Sequence, residues 1–193
     1  METYLVSCTS VESNKHKKAL LKLLREEPVI AFDTETTGLK LYSVDVPIGV
    51  GIYFPKADEG YYIIDVISGL AFLVSCLQNL KTRIVIGHNI AFDILAIRTL
   101  CRKKKIPCDF FVDVVDTMIF AKLIDNNTKT LSLNDISELF GFATRYQKEM
   151  SEWLFMNGYG DKHVVSAAPI ELQKNYCIED CVLTYKIYER FCK

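Results

Sequence analysis

The apolar positions of this chain change period several times, and each change marks an element. Residues 3–7 read as a short strand. A polar segment then leads into residues 17–25, where Leu20, Leu21, Leu23 and Leu24 recur at helical spacing. Glu26-Glu27-Pro28 predicts the end of that helix, because a residue before proline is pushed out of the helical region. The β-rich run 29–34 follows. Residues 48–54 and 61–65 predict two more strands, and the turn-forming stretch Pro55-Lys56-Ala57-Asp58-Glu59-Gly60 joins them as an antiparallel hairpin. Residues 68–80 predict a helix with Leu70, Leu73, Val74 and Leu77 on one face. Ile84-Val85-Ile86-Gly87 predicts a buried strand, 90–102 a helix and 110–115 a further strand. The rest reads as mostly helical, over 116–124, 133–140, a segment near Trp153, and 170–191. A hairpin meander followed by alternating helix and strand implies an α/β fold, a mixed sheet flanked by helices. With no internal repeat, low-complexity segment or linker, residues 1–193 are expected to form a single domain.

Composition narrows the classes. Half of the 193 residues are apolar and 24% are charged, which excludes a disordered tail, a collagen-like chain and a coiled coil. The 23 basic and 24 acidic residues nearly cancel, so bulk charge does not point to nucleic acid and any such partner must be argued from a site. No apolar stretch reaches the roughly 18 residues that span a bilayer, so no membrane association is expected. The start Met1-Glu2-Thr3-Tyr4 lacks the basic residues and long apolar run of a secretory signal. Seven cysteines, an odd number, sit mostly in apolar runs and read as reduced, buried thiols of a cytoplasmic protein. Cys177 and Cys181 are spaced to chelate a metal from one helix, but no CxxC pattern or histidine accompanies them.

Three placements of carboxylates are unusual. Asp33 and Glu35 close an apolar strand, and side chains two apart on a strand project from the same face. That brings like charges within roughly 6 Å, which is costly without a cation; oxygen ligands of this kind suit Mg²⁺ or Mn²⁺. Asp93 opens a helix among Ile90, Phe92, Ile94 and Leu95, where the helix dipole alone could also favour it. Tyr176 and Asp180 are four apart and share a face of the final helix, again in apolar company. Four carboxylates converging on one pocket could hold two divalent cations about 3.5–4 Å apart, an arrangement suited to in-line phosphodiester cleavage.

Asp33-Thr34-Glu35-Thr36-Thr37-Gly38-Leu39, then Gly87-His88-Asn89 with Phe92-Asp93, then Tyr176 with Asp180 resemble the three exonuclease motifs of the DEDD superfamily, from the opening strand to the last helix. The tyrosine four residues before the last Asp is the mark of the tyrosine subtype. The histidine subtype places a His five residues before it, where this chain has Asn175, and His163 is too far upstream. Within the subtype the likeness is to the 3′–5′ proofreading domain of family-A DNA polymerases, carried also by Thr130-Leu131-Ser132-Leu133-Asn134-Asp135.

That resemblance implies a ribonuclease-H-like fold with a mixed five-stranded sheet, and a catalytic set of Asp33, Glu35, Asp93, Tyr176 and Asp180. Asp33, Glu35 and Asp180 would hold the metal that activates water, and Asp33 would bridge to a second, with Asp93 contributing through water. Tyr176 would orient the attacking water while protonated. Thr34, Asn89 and Phe92 would contact the single-stranded 3′ end and Leu39 would wedge against its last base. The polymerase pattern often has Tyr where this chain has Phe92, which keeps stacking. His88 either lines the groove or serves as a structural hydrogen-bonding residue.

The function implied is a metal-dependent 3′–5′ exonuclease using two divalent cations, Mg²⁺ or Mn²⁺, on single-stranded or frayed DNA ends in proofreading. A DNA polymerase is the candidate partner. An RNA-trimming exonuclease of the ribonuclease-D type and a non-catalytic nucleic-acid-binding module are the alternatives. The basic run Arg102-Lys103-Lys104-Lys105 reads first as a solvated helix end and second as a phosphate contact. Trp153, Phe140, Phe142, Tyr146, Phe155 and Tyr159 read as core rather than as a base-stacking surface.

Overall fold

A computed structural model that describes residues 1–79, 84–108, 113–124, 130–160 and 164–192 contains six strands and seven α-helices. Their order is β1 (Glu2–Ser7), α1 (Asn14–Glu26), β2 (Val29–Thr36), β3 (Pro47–Phe54), β4 (Glu59–Ile64), α2 (Leu70–Gln78), β5 (Ile84–Gly87), α3 (Ile90–Lys104), β6 (Asp113–Asp116), α4 (Thr117–Ile124), α5 (Leu133–Leu139), α6 (Arg145–Met156) and α7 (Ile170–Phe191). The strand expected over 110–115 is described from Asp113 onward; residues 110–112 and His163 lie outside the described residues. Helix α1 ends where Pro28 requires it: Glu27 takes an extended ψ of 126° while its N–H still donates to the Leu23 carbonyl. No helix among the described residues is long and apolar enough to cross a membrane.

The strands form one mixed sheet in the order β1-β4-β3-β2-β5-β6. The β3–β4 hairpin is antiparallel, β2 pairs antiparallel with β3 and parallel with β5, and β5 pairs parallel with β6. The sheet has six strands where the resemblance implied five. Strand β1 runs parallel to β4 from Glu2 opposite Glu59 to Ser7 opposite Ile64. It covers an edge that would otherwise leave backbone groups of β4 unpaired, and its Val6 enters the core with no exposure.

Period-two alternation divides the sheet into two faces. Ile30 and Phe32 of β2, Val50, Ile52 and Phe54 of β3, and Tyr61 and Ile63 of β4 join the main core with Leu20 and Leu24 of α1, Leu70, Leu73 and Leu77 of α2, and Ile97 and Leu100 of α3. The opposite face carries Ala31, Tyr53 and Tyr62 against Cys177, Ile178 and Cys181 of α7. This second face is floored with glycine. A Cβ at Gly51 would lie 2.7 Å from Cys177 Sγ and 3.0 Å from Cys181 Sγ, and one at Gly60 would lie 2.5 Å from Ile178 Cγ2. Helix α7 therefore settles almost onto the backbone of β3 and β4.

Gly51→Ala should force α7 off the sheet and destabilise the protein by about 1–3 kcal/mol, the usual cost of overpacking. Urea denaturation of Gly51→Ala and of Gly51→Ala with Cys177→Ala checks this. Partial recovery in the double variant is expected, because the nearest clashing atom has been removed.

Candidate active site

The same alternation sets the direction of each polar group at the end of β2. Asp33 and Glu35 follow Ala31 onto the α7 face, while Thr34 follows Phe32 onto the α3 face. Carboxylate oxygens of Asp33 and Glu35 and the Cys177 thiol all lie within 4.8 Å of one another. Cys177 Sγ donates to Asp33 Oδ2 at 3.5 Å. A register shift between Glu35 and Thr36 ends the regular pairing with β3 just past the two acids.

Asp93 reaches the site from the other side. Its Oδ1 accepts from the Thr34 backbone N–H at 2.9 Å and the Thr34 hydroxyl at 2.6 Å, with both residues buried. Thr34, expected against substrate, thus has its hydroxyl committed to Asp93. The β5-to-α3 turn that places Asp93 is built around Asn89, at φ 60° and ψ 40°. Asparagine tolerates this left-handed conformation, and here it lets the chain pass from strand to helix without a loop. Asp116 at the end of β6 holds the turn, accepting from the backbone N–H groups of Asn89 and Met118, both at 2.9 Å. His88 takes the structural role: Nδ1 pairs with the Thr117 hydroxyl at 2.9 Å and Nε2 with the Leu131 carbonyl at 2.7 Å. Burial keeps its pKa below the ordinary histidine value, and because Nε2 faces a carbonyl, which can only accept, Nε2 carries a proton. The side chain of Asn89 is exposed and Phe92 is half-buried.

Helix α7 supplies the remainder. Tyr176 and Asp180 are buried on one face, with the Tyr176 hydroxyl bonded to Asp180. The Gln147 side-chain amide donates to Asp180 Oδ1. Gln147 sits in the first turn of α6, and that turn is anchored by Glu179, whose carboxylate accepts the backbone N–H groups of Arg145, Tyr146 and Gln147 at 3.0, 2.7 and 3.1 Å. The Glu179-Asp180 pair therefore docks α6 twice, once through its N-terminal amides and once through Gln147.

Leu39 lies 84% exposed in the loop between β2 and β3. The basic run at the end of α3 braces this loop: Lys103 Nζ donates to the carbonyls of Leu41 and Ser43 at 3.2 and 3.3 Å, and Arg102 stands over the Tyr42 ring at 5.9 Å. Asp45 tightens it by accepting from the Lys40 N–H and the Thr37 hydroxyl. Of the aromatics expected in the core, Tyr146 and Trp153 pack beside Met150 and Leu154, and Phe140 and Phe142 beside Ile136 and Ile187. Phe155 and Tyr159 are corrections, because Phe155 stands 74% exposed on the outer side of α6 and Tyr159, just past that helix, is exposed as well.

A family model described as 3′–5′ exonuclease matches residues 8–193. The chain belongs to this family, the exonuclease domain of family-A DNA polymerases. It is 28% identical over 173 residues to DNA polymerase DpoZ of Acinetobacter phage SH-Ab 15497, covering 86% of this chain and 26% of the polymerase. To DNA polymerase I of Borreliella burgdorferi it is 27% identical over 202 aligned residues, covering 100% of this chain and 20% of that one. The chain thus spans about a quarter of the length of the curated relatives it matches. Among solved structures, Brucella melitensis NrnC bound to pGG is similar with a TM-score of 0.66 and 17% identity, over 99% of this chain and 80% of that one. Escherichia coli RNase D, an exoribonuclease involved in structured RNA processing, is similar with a TM-score of 0.60 and 16% identity, over 100% and 44%. The fold is ribonuclease-H-like and the domain a 3′–5′ exonuclease of DEDD type.

Divalent-metal dependence is a property of such exonucleases, and the donor set here fits it. Burial first, and then mutual repulsion with Asp93, Glu35 and Asp180, holds the Asp33 pKa well above the carboxylate range. Burial, then Asp180 and Asp93, does the same to Glu35. Burial raises Asp93 and Asp180 to about 7, against the hydrogen bonds from Thr34 and Gln147 that lower them. Among the described residues no ion pair reaches any of the four. A desolvated cluster of oxygen donors with no neutralising base is what a hard divalent cation stabilises. Asp116, Gln147 and Glu179 escaped the sequence reading, and the Glu-Asp doublet after Tyr176 was the only local signal for any of these three; Cys177 was weighed there only as a chelating pair with Cys181.

In the metal-free exonuclease Asp93 and Asp180 bind protons more tightly folded than unfolded, with pKa values of about 7 against 3.8. Their contribution to stability is therefore full below about pH 4 and is lost as pH rises through about 7. Melting temperature in chelator should fall from about pH 5 to pH 8, and saturating Mg²⁺ should flatten that slope. A slope of opposite sign in chelator would contradict the cluster.

Proposed function

We propose that this exonuclease removes nucleotides from single-stranded or frayed DNA 3′ ends, releasing nucleoside monophosphates, in proofreading during replication or repair. The observation that carries the reading is the gathering of Asp33, Glu35, Asp93, Asp180 and Tyr176 around one buried, uncompensated pocket. Identity with two DNA polymerases supports DNA as substrate and a polymerase as partner, whether in the same chain or separate. Residues 1–193 would act as one exonuclease unit in a cytoplasmic setting.

Asp33, Glu35 and Asp180 would hold one divalent cation, with Asp33 shared by a second and Asp93 completing that second site. Mg²⁺ or Mn²⁺, when bound, supplies the Lewis acidity that eases deprotonation of water and departure of the 3′ oxygen. Water adds to phosphorus, the bond from phosphorus to the 3′ oxygen breaks, and the shortened strand keeps its 3′ hydroxyl. Tyr176 serves as an orienting hydrogen bond rather than a base. Burial and the neighbouring carboxylates hold its pKa well above the usual tyrosine value, so the hydroxyl keeps its proton. Gln147, bonded to Asp180, keeps that carboxylate aimed. Leu39 would wedge under the terminal base, Phe92 would stack and Asn89 would bond the strand end, while Thr34 and His88 act by positioning Asp93 and the turn.

An RNA-trimming activity is the second reading, favoured by the structural likeness to RNase D and NrnC. A 5′-labelled DNA primer with a mismatched end, its paired counterpart and the matching RNA, each with Mg²⁺, Mn²⁺ or chelator, separate the two. The expected result is a descending ladder from DNA, faster at the mismatch and absent in chelator. A ladder from RNA alone would move the assignment to RNA, and cleavage of a closed circle would overturn exonuclease action.

Tyr176→Phe keeps the ring and removes the hydroxyl, so the single-turnover rate at saturating enzyme should fall about 10–100-fold. Asp33→Asn removes charge from the centre of the cluster. It should raise the melting temperature in chelator, nearly abolish turnover and remove the metal-induced shift. In wild type that shift corresponds to about 2.7 kcal/mol at one hundred times Kd. Thermal melts of both proteins, in chelator and in Mn²⁺, check this.

A further inference from the structure

We propose that Cys177 makes one wall of this pocket a sulfur ligand, so that the site also takes thiophilic divalent cations of the Cd²⁺ and Zn²⁺ class through Asp33, Glu35 and Cys177. The inference rests on the reading that Asp33 and Glu35 hold divalent cations. It goes beyond that reading by adding a donor that no Mg²⁺ site requires.

The thiol has no exposure, and the absent side chain of Gly51 lets its sulfur lie against the β3 backbone on the Asp33 side of the sheet. With Asp33 and Glu35 it forms a three-donor group whose ligand atoms all lie within 4.8 Å of one another. Cys177 Sγ is 3.5 Å from Asp33 Oδ2. A tetrahedral cation with a sulfur bond of about 2.3 Å and oxygen bonds of about 2.0–2.2 Å would separate the two ligands by about 3.6 Å. The metal-free spacing is therefore already that of a chelate edge. Cys181 stands over the same glycine but is not part of the donor group. On binding, the cation replaces the thiol proton now shared with Asp33, and that proton leaves to solvent. Mg²⁺ gains little from sulfur, whereas a soft cation gains most from it, so the two classes of cation would compete for the same carboxylates.

Cd²⁺ titration of the metal-free protein, followed by sulfur-to-metal charge-transfer absorption, reads the site without turnover. Mn²⁺ binding followed by electron paramagnetic resonance provides the competitor. Wild type should show a thiolate band that grows as Mn²⁺ is displaced. Cys177→Ser keeps the shape but offers a hard oxygen; it should lose that component of the band, and its Cd²⁺-over-Mn²⁺ preference should drop about tenfold or more. Cys177→Ala should behave likewise should the buried hydroxyl of the serine variant disturb folding, and Cys181→Ala should retain the band. A band and preference unchanged in both Cys177 variants would overturn the sulfur ligand while leaving the carboxylate site standing. Failure of wild type to bind Mn²⁺ would overturn both readings together.

Discussion

The close seating of α7 on the sheet is the constraint on which the rest of this molecule depends. Gly51 and Gly60 leave the α7 face of β3 and β4 without bulk where the helix crosses, and Gly49 makes room for the Tyr62 ring beside them. Only because of that does one helix bring Tyr176, Cys177, Glu179 and Asp180 down to the level of the β2 carboxylates. A helix held an ångström or two further out would still bury Ile178 and Ile187, but the repulsion between Asp180 and Glu35 would weaken. The packing that fills the second core is the same packing that creates the electrostatic conflict.

That conflict is sustained by hydrogen bonds to the flanking carboxylates. Thr34 stabilises one oxygen of Asp93 with two donors, and Gln147 and Tyr176 stabilise Asp180. These bonds lower the cost of charge on Asp93 and Asp180, whose pKa values reach about 7. Among the described residues no amide or hydroxyl supports Asp33 or Glu35 in this way, and burial and mutual repulsion hold both carboxyls well above the carboxylate range. A demand for positive charge is thereby left at the end of β2.

Around this centre, secondary elements are tied to the site by polar contacts as well as by apolar area. Glu179 caps α6, Asp116 caps the turn into α3, and Lys103 braces the loop that carries Leu39. Each tie fixes the entry angle of an element bearing a functional side chain, and each crosses between elements distant in sequence. Charge has been placed where orientation matters, while the apolar face of the sheet supplies stability.

Much of this was legible in the sequence because it depends on local periodicity. The alternation of Val29 to Glu35 put Asp33 and Glu35 on one face, the four-residue step from Tyr176 to Asp180 put those two together, and the three acidic segments in order resembled the exonuclease motifs. The helix over 170–191 was bounded correctly, since its apolar repeat is uninterrupted. The sixth strand was visible residue by residue, although the resemblance implied five. What the tertiary structure alone decided are partners far apart along the chain: Thr34 with Asp93, Gln147 with Asp180, Asp116 with the Asn89 turn, and Cys177 with Asp33 across 144 residues. No local pattern encodes these pairs, because each joins elements that only the tertiary packing brings together.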